Sequence, residues 1–448
     1  MKKPERITIA GAGLVGSLLS VYLGKRGHQV HLIERRPDSR RTSVYQGRSI
    51  NLALSDRGWR ALEEVEADQA VREIAIPMRR RVMHDAQGKL TYQDYGKEGQ
   101  AIYSVSRGLL NQRLLDLAEE LPNVRMSFGQ RVLSVDQEKA QVVIEEDGNG
   151  QRTIEADWLF GADGAFSQVR SAMMSNHRFS YEQQFIDHGY KELSIPAAAD
   201  GSFQLEKEAL HIWPRGEHML IALPNPDGTF TCTLFFPYEG PESFESLDTV
   251  EKARAFFEEE FPDALELMPH FDQEWAENPN SALCNIRCYP WVHGSTALIG
   301  DSAHAIVPFY GQGMNSGFED CRVLAAILDE EEDWSEAMQI YQRERKASGD
   351  AIAELAMRNF IEMRDLTADP EFLLRKKIEA RVNEKFPDVW TPLYSMVTFS
   401  HTPYEEALRI GKIHDRIMAD VMCREDIESM WDSPEVMAAV LENAERHL

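Results

Sequence analysis

Gly11, Gly13 and Gly16 spell G-x-G-x-x-G, set directly between a stretch that reads as a strand, Arg6–Ala10, and one that reads as a helix, Ser17–Arg26. That context gives the glycines a chemistry. The first permits a tight turn, the second lets a pyrophosphate approach the backbone, and the third lets the helix pack closely on the strand. The helix N-terminus then turns its free N–H groups and the positive end of its dipole toward the phosphates. Glu34 closes the next strand, Gln29–Glu34, about twenty residues on, where a carboxylate accepts from a ribose 2′-hydroxyl. The same carboxylate repels a 2′-phosphate, so the expected ligand is an adenine dinucleotide without one. By itself the motif fits NAD and FAD alike.

Two later segments separate them. Gly300-Asp301 follows the apolar strand Thr296–Ile299 and opens GDSAHAIVPFYGQGMNSGFEDC. A carboxylate at a strand end can accept from a ribityl hydroxyl. The Gly311–Gly313 turn leads into a helix whose first N–H groups, near Met314 and Asn315, can face an anion. Reduced flavin carries negative charge near N1 and O2, which a helix N-terminus stabilises. Asp163-Gly164, in FGADGAFSQVR, is a third marker: strand, turn, then a helix start with Arg170 in its first turns. Standing alone it reads equally well as an ordinary turn. His304 lies in the same run and could suggest a base. Nothing nearby forms a triad with it, and a structural histidine is the better reading.

A chain of 448 residues is long enough to position these groups with two or three domains. Val142–Glu146 and Thr153–Leu159 read as strands joined by a turn at Asp147–Gly150. Two stretches look inserted: Arg79–Tyr95, with a turn at Asp85–Gly88, and a β-rich stretch from about Phe179 to Tyr289, with runs such as His218–Leu223 and Thr229–Phe236. After Gly317 the texture is helical, broken by the acidic run Asp329–Asp333, which reads as a solvated loop; the tail after Arg424 is acidic and helical. The expected fold is α/β. A Rossmann-like FAD-binding domain takes residues 1–75, 100–178 and 290–328, an inserted β-rich substrate domain takes 76–99 and 179–289, and a C-terminal helical region takes 329–448.

Composition narrows the function class. Apolar residues at 43 % and charged residues at 27 % are ordinary globular usage, and a net charge of −26 opposes binding to nucleic acid or an anionic bilayer. The five cysteines, at 232, 284, 288, 321 and 423, lack a zinc-type spacing and read as reduced thiols of a cytoplasmic protein. No apolar run reaches about 18 residues, so no membrane anchor is expected. The basic start MKKPERITIAGAGLVG belongs to the glycine motif rather than to a signal peptide.

Together GAGLVG, Glu34, the DG segment and the GD segment resemble the single-component FAD-dependent aromatic hydroxylases of the p-hydroxybenzoate hydroxylase fold, in order and spacing from residue 7 to about 325. Longer strings, at Gly47–Ser55 (GRSINLALS), His211–Pro214 (HIWP), Ile306–Cys321 (IVPFYGQGMNSGFEDC) and Pro392–Ser400 (PLYSMVTFS), are similar to the branch that hydroxylates L-kynurenine. The resemblance implies bound FAD, NADPH and O2 as co-substrates, and oxygen transfer to the ring of L-kynurenine through a flavin C4a-hydroperoxide. It places cofactor contacts at Gly11, Gly13, Leu14, Val15, Gly16, Glu34, Arg35, Ala53, Arg107, Val132, Asp163, Asp301, Gly313, Met314 and Asn315. It places the substrate carboxylate among Arg81, Tyr95, Asn359 and Tyr394. Eukaryotic members end in a hydrophobic membrane anchor. This chain ends in acidic helix, so the soluble, bacterial-type form is expected.

Without the family these substrate residues are less decisive. Arg79, Arg80 and Arg81 could be a solvated basic edge, which is the reading kept for Arg79 and Arg80. Asn359 shares a helical stripe with Ile352, Leu355, Ala356 and Met363, where an amide needs a partner. A structural hydrogen bond and a ligand are equally good partners for it. Tyr95 and Tyr394 are as ambiguous, since tyrosines often bury a ring and hydrogen-bond the tip. No side chain is assigned as acid or base, and no metal is expected. Two rivals share the cofactor motifs: a hydroxylase or epoxidase of the same fold with another substrate, and a non-catalytic flavin-binding regulator.

Overall fold

The computed structural model describes residues 3–41, 51–95, 99–146, 150–362 and 369–447. Gly47–Ile50 of the GRSINLALS string, most of the Asp147–Gly150 turn, and Met363 of the helical stripe lie outside them.

The Arg6–Ala10 strand lies inside a six-stranded sheet in the order Val292–His293, Thr296–Leu298, Trp158–Gly161, Arg6–Ala10, Gln29–Ile33, Val124–Ser127. Both its neighbours run parallel to it. Ile7–Ala10 is buried throughout, as the interior strand of a parallel sheet must be. The helix that follows spans Leu14–Lys25, three residues earlier than the sequence suggests, with Gly13 as its N-cap. It can start so early because Gly16 lies against the turn: a Cβ there would come within 1.9 Å of the Gly11 carbonyl oxygen.

The expected strand Thr153–Leu159 is two strands in two sheets. Gly150–Glu155 pairs antiparallel with Gln141–Glu146, whereas Trp158–Gly161 joins the parallel sheet. Asp157 marks the break, where its carboxylate accepts from the Arg6 N–H at 2.8 Å and the Arg6 guanidinium at 2.7 Å.

The first insertion is a hairpin, Arg80–His84 and Leu90–Asp94, closed through Gly88 at φ +75°. Arg80–His84 runs parallel to Ala209–Arg215. The hairpin thereby completes one edge of a seven-stranded sheet whose other strands are Ser281–Tyr289, Ser180–Ile195, Phe230–Pro237, His218–Pro224 and Ala209–Arg215. Residues from the two insertions thus form one sheet. The second insertion also holds helices the sequence reading passed over, Val250–Glu260, Pro262–Leu265 and Phe271–Glu277. Local signals for them exist. The Thr249 side chain caps the first, Pro262 opens the second, and Ala253 and Phe257 lie one turn apart on a buried face. Phe257, Phe261, Phe271 and Trp275 pack on Trp213, Phe230 and Phe236 of the sheet.

The C-terminal part is helical, including Gly313–Glu330, Trp334–Ile361, Leu393–Thr398 and Tyr404–Met422. Asp329 and Glu330 of the acidic run remain in the Gly313–Glu330 helix, and Asp329 pairs with Arg26 at 2.6 Å. The solvated loop is therefore shorter than expected. Among the described residues no helix is long and apolar enough to cross a membrane.

Candidate active site

At the glycine turn, the N–H groups of Gly13, Leu14, Val15 and Gly16 have no acceptor among the described residues. A Cβ on Gly13 would meet nothing within 4 Å. Open space beside four unpaired donors is what a pyrophosphate requires. Gly11, at φ +105°, lies so close to Ala162 that a Cβ would come within 2.4 Å of its carbonyl oxygen. Glu34 pins the turn, accepting from the Ala12 N–H and the Arg36 N–H, both at 2.9 Å. Each carboxylate oxygen keeps a lone pair for a ribose hydroxyl. Arg35 is exposed beside it, and half-buried Val132 sits on the Gln130–Asp136 strand, whose Gln130 N–H donates to the Glu34 carbonyl at 2.8 Å.

The second half of the site is joined to the first through Val15. Its side chain fills the space that a Cβ on Gly300 or Gly317 would take, at 2.9 and 2.5 Å. Asp301 is half-buried at the start of a short helix capped by Gly300. Asp163 is committed differently: its carboxylate accepts from the Gln168 N–H at 2.7 Å, the Ser302 hydroxyl at 3.1 Å and the Ser167 hydroxyl. It caps the Gln168–Met173 helix and ties the DG segment to the GD segment. At the Gly313–Glu330 helix, the N–H groups of Gly313, Met314 and Asn315 have no acceptor among the described residues. The Asn315 amide faces the other way. It donates to the carbonyls of Ala53 and Gly311 at 2.9 Å, and accepts from the Ser55 N–H at 3.0 Å. Asn315 thus fixes the Ala53 strand against the turn. Arg107 is exposed at the first position of the Arg107–Glu119 helix. Two helix N-termini with free donors, open space at Gly13, and carboxylates at Glu34 and Asp301 together fit an FAD.

Ala53 also packs into a small apolar cluster with Tyr95, Tyr394 and Phe399. Here the guanidinium carbon of Arg81 lies 4.6 Å from the centre of the Tyr394 ring and 5.2 Å from that of Tyr95. Among the described residues, the Arg81 Nε and the Tyr95 hydroxyl are buried without a hydrogen-bond partner. Among the described residues no carboxylate pairs with Arg81. Burial works against its charge, but the Tyr394 and Tyr95 hydroxyls outweigh it and hold the guanidinium protonated, above its ordinary range. Burial raises Tyr95 in turn, so it stays neutral. The charged form of Arg81 is thus favoured overall, and with no described carboxylate beside it the guanidinium can pair with an anionic ligand.

Tyr310, which the sequence reading left without a role, stacks on Tyr394 at 5.6 Å and extends the aromatic wall. Asn359 stands behind it, donating to the Phe309 carbonyl at 2.8 Å. The structure therefore gathers Arg81, Tyr95 and Tyr394 directly, and Asn359 through the Pro308–Tyr310 turn. His304 is held structurally, meeting Asp320 at 2.5 Å and stacking on Trp291 at 5.1 Å.

The comparisons agree with this geometry. A family model described as an FAD binding domain matches residues 5–356. A kynurenine 3-monooxygenase of Flavobacterium johnsoniae is 50 % identical over 445 residues, covering 99 % of each chain. That of Myxococcus xanthus is 48 % identical, covering 94 % of this chain and 91 % of its own. That of Dictyostelium discoideum is 43 % identical, covering 94 % of each. Among solved structures, a p-nitrophenol 4-monooxygenase from Pseudomonas putida superposes with a TM-score of 0.66 over 97 % of this chain and all of its own, at 16 % identity. A 2-methyl-3-hydroxypyridine-5-carboxylic acid oxygenase gives 0.63 over 85 % of this chain and 96 % of its own, at 20 % identity. At such identities the structural matches speak for the fold alone. The full-length relatives say more: a chain with two flavin-type helix termini and an unpaired arginine beside them belongs to the kynurenine 3-monooxygenase family of FAD-binding proteins.

Proposed function

We propose that this protein hydroxylates L-kynurenine at ring position 3: L-kynurenine, NADPH, O2 and a proton give 3-hydroxykynurenine, NADP+ and water. The observation that carries the substrate assignment is the Arg81 cation, without a described carboxylate partner, lying against the stacked Tyr95 and Tyr394 rings, which pack in a cluster with Ala53 of the cofactor strand. Such a cation recognises the amino-acid carboxylate, a charged handle several bonds from the reacting ring.

Bound FAD would supply hydride acceptance from NADPH and activation of O2. The chain's residues do the rest. The N–H groups of Gly13–Gly16 hold the pyrophosphate, Glu34 the ribose, and Asp301 the ribityl chain. The N–H groups of Gly313–Asn315 face the negative edge of the reduced ring system. Arg81 and the Tyr95 hydroxyl anchor the carboxylate, with Asn359 supporting the wall behind. Tyr310, Tyr394 and Phe399 exclude water, which protects the activated oxygen from release as hydrogen peroxide. The ring amino group, ortho to position 3, donates electron density there, so orientation is the protein's main task. Five free cysteines suit a reducing, cytoplasmic location.

The test is product analysis after incubation with L-kynurenine, NADPH and O2. A hydroxylated kynurenine with the new oxygen at position 3 supports the reading. NADPH oxidation that L-kynurenine does not stimulate would end it.

A further inference from the structure

Arg57 is 1 % exposed, and its whole guanidinium is engaged. Nη1 donates to a Glu319 carboxylate oxygen at 2.7 Å, Nε to the Val397 carbonyl at 3.2 Å, and Nη2 to the Thr402 carbonyl. The Tyr404 ring lies 4.0 Å from its carbon. From Glu319 the contacts run inward. Its other oxygen accepts from Arg345 Nη1 at 2.8 Å, and Arg345 Nε donates to Asp320 at 2.6 Å. The second Asp320 oxygen accepts the Gly300 N–H at 3.1 Å and meets His304.

This buried relay has two ends. One is the turn that presents Asp301 at the cofactor side. The other is the segment from Val397 to Thr402, which directly follows Tyr394 on the substrate side. Arg57 itself stands two residues after Ser55, whose N–H is fixed by Asn315. Tyr404, stacked on Arg57, donates its hydroxyl to Gln312 at 2.9 Å, beside the helix start that faces the flavin. Buried ion pairs add little net stability compared with apolar packing of the same volume. What they add is direction: each bond here fixes one element against another.

We propose that Arg57, acting through Glu319, Arg345 and Asp320, is a positioning residue that sets the distance between the carboxylate-holding cluster and the flavin end of the site. The proposal rests on the kynurenine hydroxylase reading. If the register slips, the ring is displaced from the activated oxygen. NADPH, a proton and O2 then give NADP+ and hydrogen peroxide, with the substrate unchanged.

The test uses the FAD-loaded full chain with Arg57→Lys, which keeps the charge but loses the fork, and Glu319→Gln, which keeps the shape but breaks the relay. Three quantities are measured per bound FAD: product formed per NADPH consumed, KM for L-kynurenine, and its Kd from substrate titration of flavin fluorescence. Melting temperature and FAD content are followed in parallel. Product per NADPH is expected to fall and peroxide to rise. The hydroxylation rate should fall about ten- to a hundredfold, since a displacement of about 1 Å can cost that much, and Kd and KM should rise as the carboxylate-holding cluster shifts. A purely structural role moves only the melting temperature and FAD content. Unchanged coupling and Kd in both variants would therefore overturn the proposal. A wild-type protein that makes no hydroxykynurenine in the same assay would instead overturn the underlying reading, and the proposal with it.

Discussion

Replacing Arg81 with methionine keeps most of the stem's volume beside the two stacked tyrosine rings and removes the cation. In the free protein two effects oppose one another. The change relieves a desolvated, unpaired charge, and it forfeits cation–π contacts with Tyr394 at 4.6 Å and Tyr95 at 5.2 Å, each worth roughly 0.5–2 kcal/mol. Stability and FAD content should therefore change little. Substrate binding is different, because Arg81 is the cation that lies against both Tyr95 and Tyr394, where the carboxylate is to be taken. A hydrogen bond to a charged group is worth about 1.5–3 kcal/mol, and about 1.4 kcal/mol is tenfold. The loss in kcat/KM for L-kynurenine should accordingly be roughly 10- to 150-fold. The assay is a double-difference cycle, with both proteins measured on L-kynurenine and on the analogue lacking the carboxylate. The analogue should lose little from the substitution. Equal losses on both substrates would show that Arg81 supports the fold or the flavin, and the carboxylate assignment would fall.

Gly13→Ala should fold normally, since its Cβ meets nothing within 4 Å, yet bind FAD weakly; Gly16→Ala, whose Cβ would sit 1.9 Å from the Gly11 carbonyl oxygen, should lower melting temperature as well. Equal FAD affinity in Gly13→Ala and wild type would refute the pyrophosphate assignment. Burial pushes His31, His211, His218 and His414 from 6.5 down to about 4. Between these values the unfolded chain binds more protons, so the stability these groups contribute is full above pH 6.5 and is lost as pH falls toward 4, at roughly 1 kcal/mol per pH unit for each. Thermal melts between pH 7.5 and 5 check this, and a flat profile would contradict it. One polypeptide should suffice for turnover, with NADPH reducing the bound FAD directly; a requirement for a separate reductase would refute this.

The strand, turn and helix around Gly11–Gly16 were legible because glycine spacing encodes backbone geometry directly. The hairpin carrying Arg81 was legible from its Asp85–Gly88 turn. The significance of Arg81 was not, since the absence of a carboxylate partner is a property of the assembled cluster. The helices at Val250–Glu260 and Phe271–Glu277 were missed although Thr249 and Pro262 signal them, because the runs on either side read as strands. The Thr153–Leu159 stretch misled because its alternation continues through Asp157, and only the bonds from Arg6 show where it divides. Arg57 and Glu319 meet across 262 positions of sequence, a separation that leaves no local periodicity to read. Tyr310 lay within a string quoted for its likeness, yet its stacking on Tyr394 depends on a helix that begins at Leu393.

The joining of the two halves of the flavin site through Val15 has a consequence for biosynthesis. Cys321, in the helix that completes the site, contacts the Val15 carbonyl across 306 positions. At about 5–20 residues per second, a ribosome takes roughly 15–60 s to traverse that interval. Until near its end the nascent chain displays a glycine turn whose packing surfaces on Gly300 and Gly317 do not yet exist, while the strands of the seven-stranded sheet, from Arg80 to Tyr289, emerge one after another. Long-range closure of this kind slows folding and prolongs exposure of apolar strands. FAD cannot stabilise the chain until the last of these segments has emerged, and then stabilises only the closed form. FAD supplied once the chain is complete should therefore raise the yield of intact protein as much as FAD present throughout translation.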